Sequence, residues 1–277
     1  MRGKQTSSIM STYSYTQISQ YLGCPRRYKY RYVEGWQEKE THAGMLFGRA
    51  FEAAVGALFR REDCGQVLFD EWSKCRNLSL DYSRGDTWDS MLREGIHLLE
   101  RFAQDDRVRI RNPRHNLQIK FTRQLPSGGD FVAFIDAIGE LDHRRAIIDW
   151  KTSSARYPDQ PAGLLALDPQ LVCYSWVTGE PEVAFVVFVR KHSPEVQYLR
   201  TIITDEQRHQ FGLLVEETVQ RIEVGQFLPR SGIRFPQNGC LSCPFMGLCL
   251  ENQQMADSKL KRCSGAKDLA WLDELHY

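Results

Sequence analysis

No apolar run in this sequence could span a bilayer. The longest, Val183 to Val189, falls far short of the roughly 20 residues a membrane helix needs. The opening MRGKQTSSIM lacks the apolar stretch of a secretory leader, so an intracellular, cytoplasmic protein with no membrane partner is expected. Neither sign of charge is in excess, with 36 lysines and arginines against 35 acids. A polyanion-binding surface spread over the whole molecule is thereby excluded, and only a local basic patch could meet nucleic acid. There is no G-x4-G-K-[ST] loop and hence no nucleotide-driven motor in this sequence. Internal repeats and low-complexity tracts are absent too, which removes solenoid and linker readings.

The sequence does have enough apolar material for a sizeable core: 277 residues, 42% of them hydrophobic, fit one elaborated domain spanning 1–277. It also has eight cysteines. Inside a cell these read as thiols or metal ligands rather than a disulfide framework.

Helix signals recur along the chain. Ser14 with Gln17 has capping-box spacing and starts a helix ending near Gly23, and Pro25 suits the first turn of the next. That segment, PRRYKYRYVEGW, interleaves basic and aromatic residues. Long cationic stems covering core explain it as well as a nucleic-acid face carrying Arg26 and Arg27 does. Residues 44–58 read as an apolar helix with a lone acid, Glu52, at its middle, where a carboxylate needs a partner or a metal. Trp88 to Ala103 has helical periodicity. Asp168 and Pro169 form the cap and first turn of a helix carrying Gln170 and Tyr174, and Thr204 with Gln207 opens a long helix closed by Gly225. Strands are expected at 116–125, 130–141, from Ala146, at 183–190 and at 198–203. The Pro-, Gly- and Cys-rich remainder is too irregular to stand alone.

A short polar turn at Asp142 and His143 makes a hairpin of 130–141 and the AIIDWKT run. Centred there, it sets Asp136 opposite Asp149. Two facing carboxylates repel unless a cation lies between them. Lys151 shares the face of Asp149, while Trp150 points away. An Asp-x-Lys alone is ordinarily a solvated salt bridge. Opposed to a second aspartate, it suits phosphodiester hydrolysis, with hard oxygens holding Mg2+ or Mn2+ and the lysine orienting or deprotonating water.

Cys240, Cys243 and Cys249 give three thiolates in one compact loop. A four-cysteine zinc site or a cubane cluster needs a fourth, and Cys24, Cys263, Cys64, Cys75 and Cys173 are the candidates. Spacing alone favours Cys263, with zinc. For Cys64, Cys75 and Cys173 the ordinary reading is a packed thiol.

With these residues in place, the chain resembles the PD-(D/E)XK nuclease superfamily over about Tyr13 to Asn252, in the RecB-like and AddB-like branch whose CRISPR-adaptation members carry a [4Fe-4S] cluster. The opening YSYTQISQYLGCPRRYKYRYVEG is similar to that branch's N-terminal signature, FIDAIGEL with AIIDWKTS to its catalytic strands, and Gln170 with Tyr174 to its Q-x3-Y motif. The resemblance implies an α/β fold with a mixed central sheet flanked by helices. It implies a catalytic core at about 44–225, with cluster-binding segments at about 13–36 and 235–252. Cys24 would join Cys240, Cys243 and Cys249 on the cluster, stapling the two ends of the domain. Asp136 and Asp149 would bind metal with help from the Trp150 carbonyl, Lys151 would be the catalytic lysine, and Gln170 and Tyr174 would contact substrate. In GRAFEAAV the family usually has a metal-binding histidine where this chain has Glu52, a harder ligand that suits Mg2+ and Mn2+.

The implied function is a metal-dependent deoxyribonuclease, acting as an exonuclease on single-stranded or end-frayed DNA. The chief alternative is a DNA-binding or assembly subunit of a helicase-nuclease or CRISPR-adaptation complex with little catalysis, borrowing a partner's motor. A zinc protein of unrelated function is the third reading. The basic stretch Arg107 to Arg123 is a candidate substrate groove.

Overall fold

The computed structural model describes residues 12–191, 193–230 and 238–263, without the side chain of Asn238. The chain opens with β1 (Thr12–Ser14), α1 (Tyr15–Gly23) and α2 (Pro25–Tyr28), and then a wider helical turn over Lys29–Val33. Next come β2 (Trp36–Glu38), β3 (Thr41–His42), α3 (Ala43–Arg60), α4 (Cys64–Ser73), β4 (Leu80–Asp81) and α5 (Trp88–Ala103). β5 (Val108–Arg109), α6 (Pro113–Asn116), β6 (Leu117–Gln124), β7 (Asp130–Leu141) and β8 (Arg144–Ser153) lead to α7 (Pro169–Thr178). β9 (Glu182–Val189), β10 (Glu195–Ile202) and α8 (Asp205–Glu223) follow, and then the short α9 (Asn238–Leu241), α10 (Met246–Cys249), α11 (Gln253–Lys259) and β11 (Leu260–Arg262).

The caps expected from sequence form. Ser14, Asp168 and Thr204 each accept a hydrogen bond from a backbone N–H of the helix they precede. The main sheet runs β1-β7-β8-β9-β10, with β5 and β6 on the other edge of β7. It is mixed: β7 meets β8 antiparallel, β8 meets β9 parallel through the α7 crossover, and β9 meets β10 antiparallel.

Helices cover both faces. On one, Phe47, Phe51, Trp72 and Leu98 pack on Ile148, Trp150 and Phe188. On the other, Leu171, Trp176, Phe211 and Val215 pack on Phe131, Ile135, Ile147 and Phe185. Strands buried on both sides read as continuous apolar runs, which is why β9 shows no alternation. The α/β class with helices flanking a mixed sheet therefore holds. Among the described residues no helix is long and apolar enough to cross a membrane.

α4, which the sequence reading does not include, starts at an Asp63 cap that accepts the Gln66 N–H, and the irregular C-terminal stretch contains β11, which pairs antiparallel with β2. That pairing ties the end of the described chain to its beginning.

Candidate active site

The β7–β8 hairpin sets the site. Asp142 and His143 both take positive φ, 51° and 63°, the two-residue turn that matches strand twist. The ladder follows the expected register from Leu141↔Arg144 to Ala137↔Ile148 and then stops. The next pair, Asp136 and Asp149, is not bridged backbone to backbone. Instead the strands part, and Asp136 Oδ2 accepts the backbone N–H of Trp150 at 2.8 Å. A direct cross-strand pair was expected, and a carboxylate wedged into an opening sheet is found.

β7 also changes phase at this point. Ile135 belongs to one core and Ala137 to the other, with Ile138 back beside the first. Its partner β6 is irregular at the same level: the register passes from Leu117↔Ala137 to Ile119↔Ile135, and Gln118 between them has φ 50°. The Gln118 amide Nε2 donates to Glu52 Oε1 at 3.4 Å. Sequence reasoning missed Gln118, because nothing in the string marks a left-handed residue inside a strand.

Both aspartates are buried, Asp136 at 7% exposure and Asp149 at 1%. Burial raises the Asp136 carboxyl well above its ordinary range, and the charges of Glu52 and Asp149 push it further. Asp149 is also raised by burial, against the opposing pull of Lys151. Glu52, on α3, is pushed up to about 7 by burial, with the charge of Asp149 adding to the shift. Lys151 Nζ stands 2.6 Å from Asp149 Oδ2, a charge-assisted contact that pulls the Asp149 carboxyl down against its burial. Burial alone would lower the Lys151 ammonium, but Asp149 and Asp136 outweigh it and raise it.

Lys151 Nζ donates to Gln170 Oε1 and Gln170 Nε2 to the Tyr174 hydroxyl, both at 2.8 Å. Tyr174 is in turn hydrogen-bonded to Asp149, so Gln170 and Tyr174 brace the lysine and the aspartate together. Two further residues, unmarked by the sequence beyond a helix cap, bear on the same spot: the charge of Asp168 raises Asp149, and Tyr157 lies near Lys151. Trp150 itself is packed in the core against Phe59 and Phe102.

The structure thus brings Glu52, Asp136, Asp149, Lys151, Gln170 and Tyr174 to one place from α3, β7, β8 and α7. Among the described residues no three His, Cys, Asp or Glu side chains converge closely enough to hold a metal ion. The donor chemistry nevertheless fits a hard cation, with two buried aspartates and the half-buried Glu52 near enough for like charge to raise the carboxyls of Asp136 and Glu52.

A sequence model of the PD-(D/E)XK nuclease superfamily matches residues 12–250. The chain belongs to this superfamily. Members of it generally use divalent metals such as Mg2+ or Mn2+. Among solved structures, a protein from Eubacterium rectale described as a "putative exonuclease" is similar in fold, with a TM-score of 0.54 and 15% identity, over 92% of this chain and 91% of its own. A protein described as SSO0001 is 14% identical over 86% of this chain and 93% of its own, with a TM-score of 0.35, too low to speak to the fold. No curated protein matches the chain.

Four of the cysteines lie toward the two ends of the superfamily match, Cys24 at one and Cys240, Cys243 and Cys249 at the other. Phe245 is fully buried, with Tyr30 stacked on it at 6.1 Å and the Arg27 guanidinium over it at 5.9 Å. Cys24 and the loop of Cys240, Cys243 and Cys249 are therefore on neighbouring segments. Burial raises the Cys243 thiol, and Cys249 and Cys24 add to the shift. Tyr30, pushed up to about 12 by burial, is hydrogen-bonded to Cys249. The Cys263 N–H donates to Gly35 O at the end of the β2–β11 pair. Arg27 faces Phe245, while Arg26 carries charge near Tyr30.

Proposed function

We propose that this member of the nuclease superfamily is a Mg2+- or Mn2+-dependent deoxyribonuclease that hydrolyses phosphodiester bonds in single-stranded or end-frayed DNA, working from ends. The observation that carries the reading is the buried pair Asp136 and Asp149, held at the opening between β7 and β8 with Lys151 against one of them. Mutual repulsion of that kind is stable when a cation occupies the site.

Glu52, Asp136, Asp149 and the Trp150 carbonyl would hold the ion. When bound, the ion lowers the pKa of a water and neutralises charge developing on the phosphate. Lys151, braced by Gln170, would orient that water or take its proton. Gln170 and Tyr174 would face the sugar-phosphate chain, and Arg26 and Arg27 would contact DNA beyond the site. The exonuclease mode draws support from the description of the Eubacterium rectale protein and from the RecB-like motifs.

We read Cys24, Cys240, Cys243 and Cys249 as ligands of a [4Fe-4S] cluster that joins segments 13–36 and 235–252 to a core at about 44–225, the whole being one nuclease domain. The packing of Tyr30 and Arg27 on Phe245 supports Cys24 as the fourth ligand. A helicase that delivers unwound ends would be a fitting partner.

The test is incubation of anaerobically purified protein with 5′- and 3′-labelled linear and circular single-stranded DNA, in Mg2+ or Mn2+. Mononucleotides or short products from linear DNA only are expected, and none with Lys151→Ala. DNA binding without product from the wild type would instead favour an assembly subunit.

A further inference from the structure

Glu52 sits on a long flexible side chain reaching toward the opening from α3, and a carboxylate of that kind holds a cation well only if its own orientation is fixed. Among the described residues the donor to it is Gln118, whose Nε2 lies 3.4 Å from Oε1. Gln118 is held in an unusual way. It is a non-glycine residue in the left-handed region, with φ 50°, inside the eight-residue strand β6. It falls opposite Asp136, where the β6–β7 register skips one pair and β7 changes phase.

An L-residue in this conformation is strained, and glycine or asparagine would adopt it more easily. Such strain persists where the surrounding structure over-determines it, and it gathers at functional sites. Here the distortion serves to aim an amide at α3 across the level of Asp136.

We infer that Gln118 is a positioning residue for the divalent-cation site, its side-chain amide fixing one oxygen of Glu52 so that the other is left for the ion. The inference rests on the nuclease reading for the identity of the site, and on its own geometry for the role. The residue type suits the task. A lysine or arginine at this position would also bond Glu52, but its charge would compete with the cation. A neutral amide orients the carboxylate and leaves its charge intact. An asparagine would relax the backbone, yet is one methylene too short to reach.

The experiment is Mn2+ binding to the full chain, read as free Mn2+ by electron paramagnetic resonance, for wild type, Glu52→Ala, Gln118→Ala, Gln118→Asn and Gln118→Lys, with a thermal melt of each. Wild type should bind Mn2+ in a manner lost with Glu52→Ala. Gln118→Ala and Gln118→Asn should weaken binding by roughly 10-fold, as loss of a residue supporting a metal ligand does, and Gln118→Lys should weaken it further. Gln118→Asn should melt no lower than wild type, which separates positioning from a purely structural role.

Unchanged Mn2+ affinity in Gln118→Asn and Gln118→Ala overturns the inference, as does wild-type binding indifferent to Glu52→Ala. Cleavage is scored separately. A wild type that binds Mn2+ through Glu52 and cuts no DNA removes the nuclease reading and leaves the role of Gln118 standing.

Discussion

Asp136 Oδ2 takes the backbone N–H of Trp150 at 2.8 Å, so a side chain of β7 occupies the place where β7 and β8 would otherwise exchange a ladder bond. The carboxylate is thereby fixed by the very strand that carries Asp149 and Lys151. Any shift of β8 moves all three groups together, which makes the spacing of the acids a property of the hairpin rather than of loose side chains.

The burial of Asp136 has a measurable consequence for Asp136→Asn. Its carboxyl is raised by burial and by Glu52 and Asp149, so the ionised form opposes folding when no cation is bound. The amide keeps an acceptor for Trp150 and removes the charge. Cleavage should fall to background, while the melting point in EDTA rises by a few degrees, since ~1 kcal/mol shifts a domain of this size by roughly 2–4 °C. A melting point lowered in EDTA would contradict this account.

Lys151→Ala should behave in the opposite way. The ammonium is the charge facing Asp149, which is 1% exposed, and removing one partner of a buried pair costs about 3–5 kcal/mol. Adding Asp149→Asn should restore most of that stability without restoring cleavage. Denaturant unfolding of the two single variants and the double checks it, and strictly additive losses would show that the two groups do not interact.

Much of this architecture is legible in short stretches of sequence. Ser14, Asp168 and Thr204 announce helices because a cap bonds within three residues of itself, and Asp142 with His143 announces the hairpin because the turn fixes its register. The distortion at Gln118, the stop of the ladder at Ala137↔Ile148 and the β2–β11 pairing are not legible. Each depends on what lies across the sheet or at the far end of the chain, and no neighbouring residue encodes it. The candidate site follows the same division: the hairpin shows Asp136, Asp149 and Lys151, while the contribution of Asp168 and Tyr157 requires the folded chain.

At the hairpin tip Arg107 forks onto Asp142, Nε to Oδ1 at 2.7 Å and Nη2 to Oδ2 at 2.8 Å, with its guanidinium 4.1 Å from the Tyr198 ring centre. The fork lowers the Asp142 carboxyl below its ordinary 3.8. A depressed carboxyl contributes stability that is complete above 3.8 and disappears as pH falls through the folded-state value. Because the two side chains are 44% and 42% exposed, screening holds the effect under about 1 kcal/mol. Asp142→Asn, whose backbone tolerates the positive φ, should therefore be slightly less stable at neutral pH and equal to wild type in strong acid. A difference that persists unchanged into acid would rule the fork out as its source.

The cysteines allow a sharper choice, because the two candidate fourth ligands have different neighbours. Cys24 is on the segment that packs against Phe245, and electrostatically it neighbours Cys243, whereas Cys263 is bonded through its backbone to Gly35. Anaerobic protein with an iron-sulfur cluster should be brown. Cys24→Ala and Cys240→Ala should each lose the colour, while Cys263→Ala keeps it. Loss of such a cluster would also free two segments that most of the chain separates. By the loop argument used for cross-links, this should cost on the order of 4 kcal/mol or more of stability, and Cys263→Ala should cost far less. A colourless wild type with stoichiometric zinc, bleached by no variant and weakened most by Cys263→Ala, would replace the cluster with a zinc site built on Cys263, since Zn2+ is d10 and absorbs no visible light.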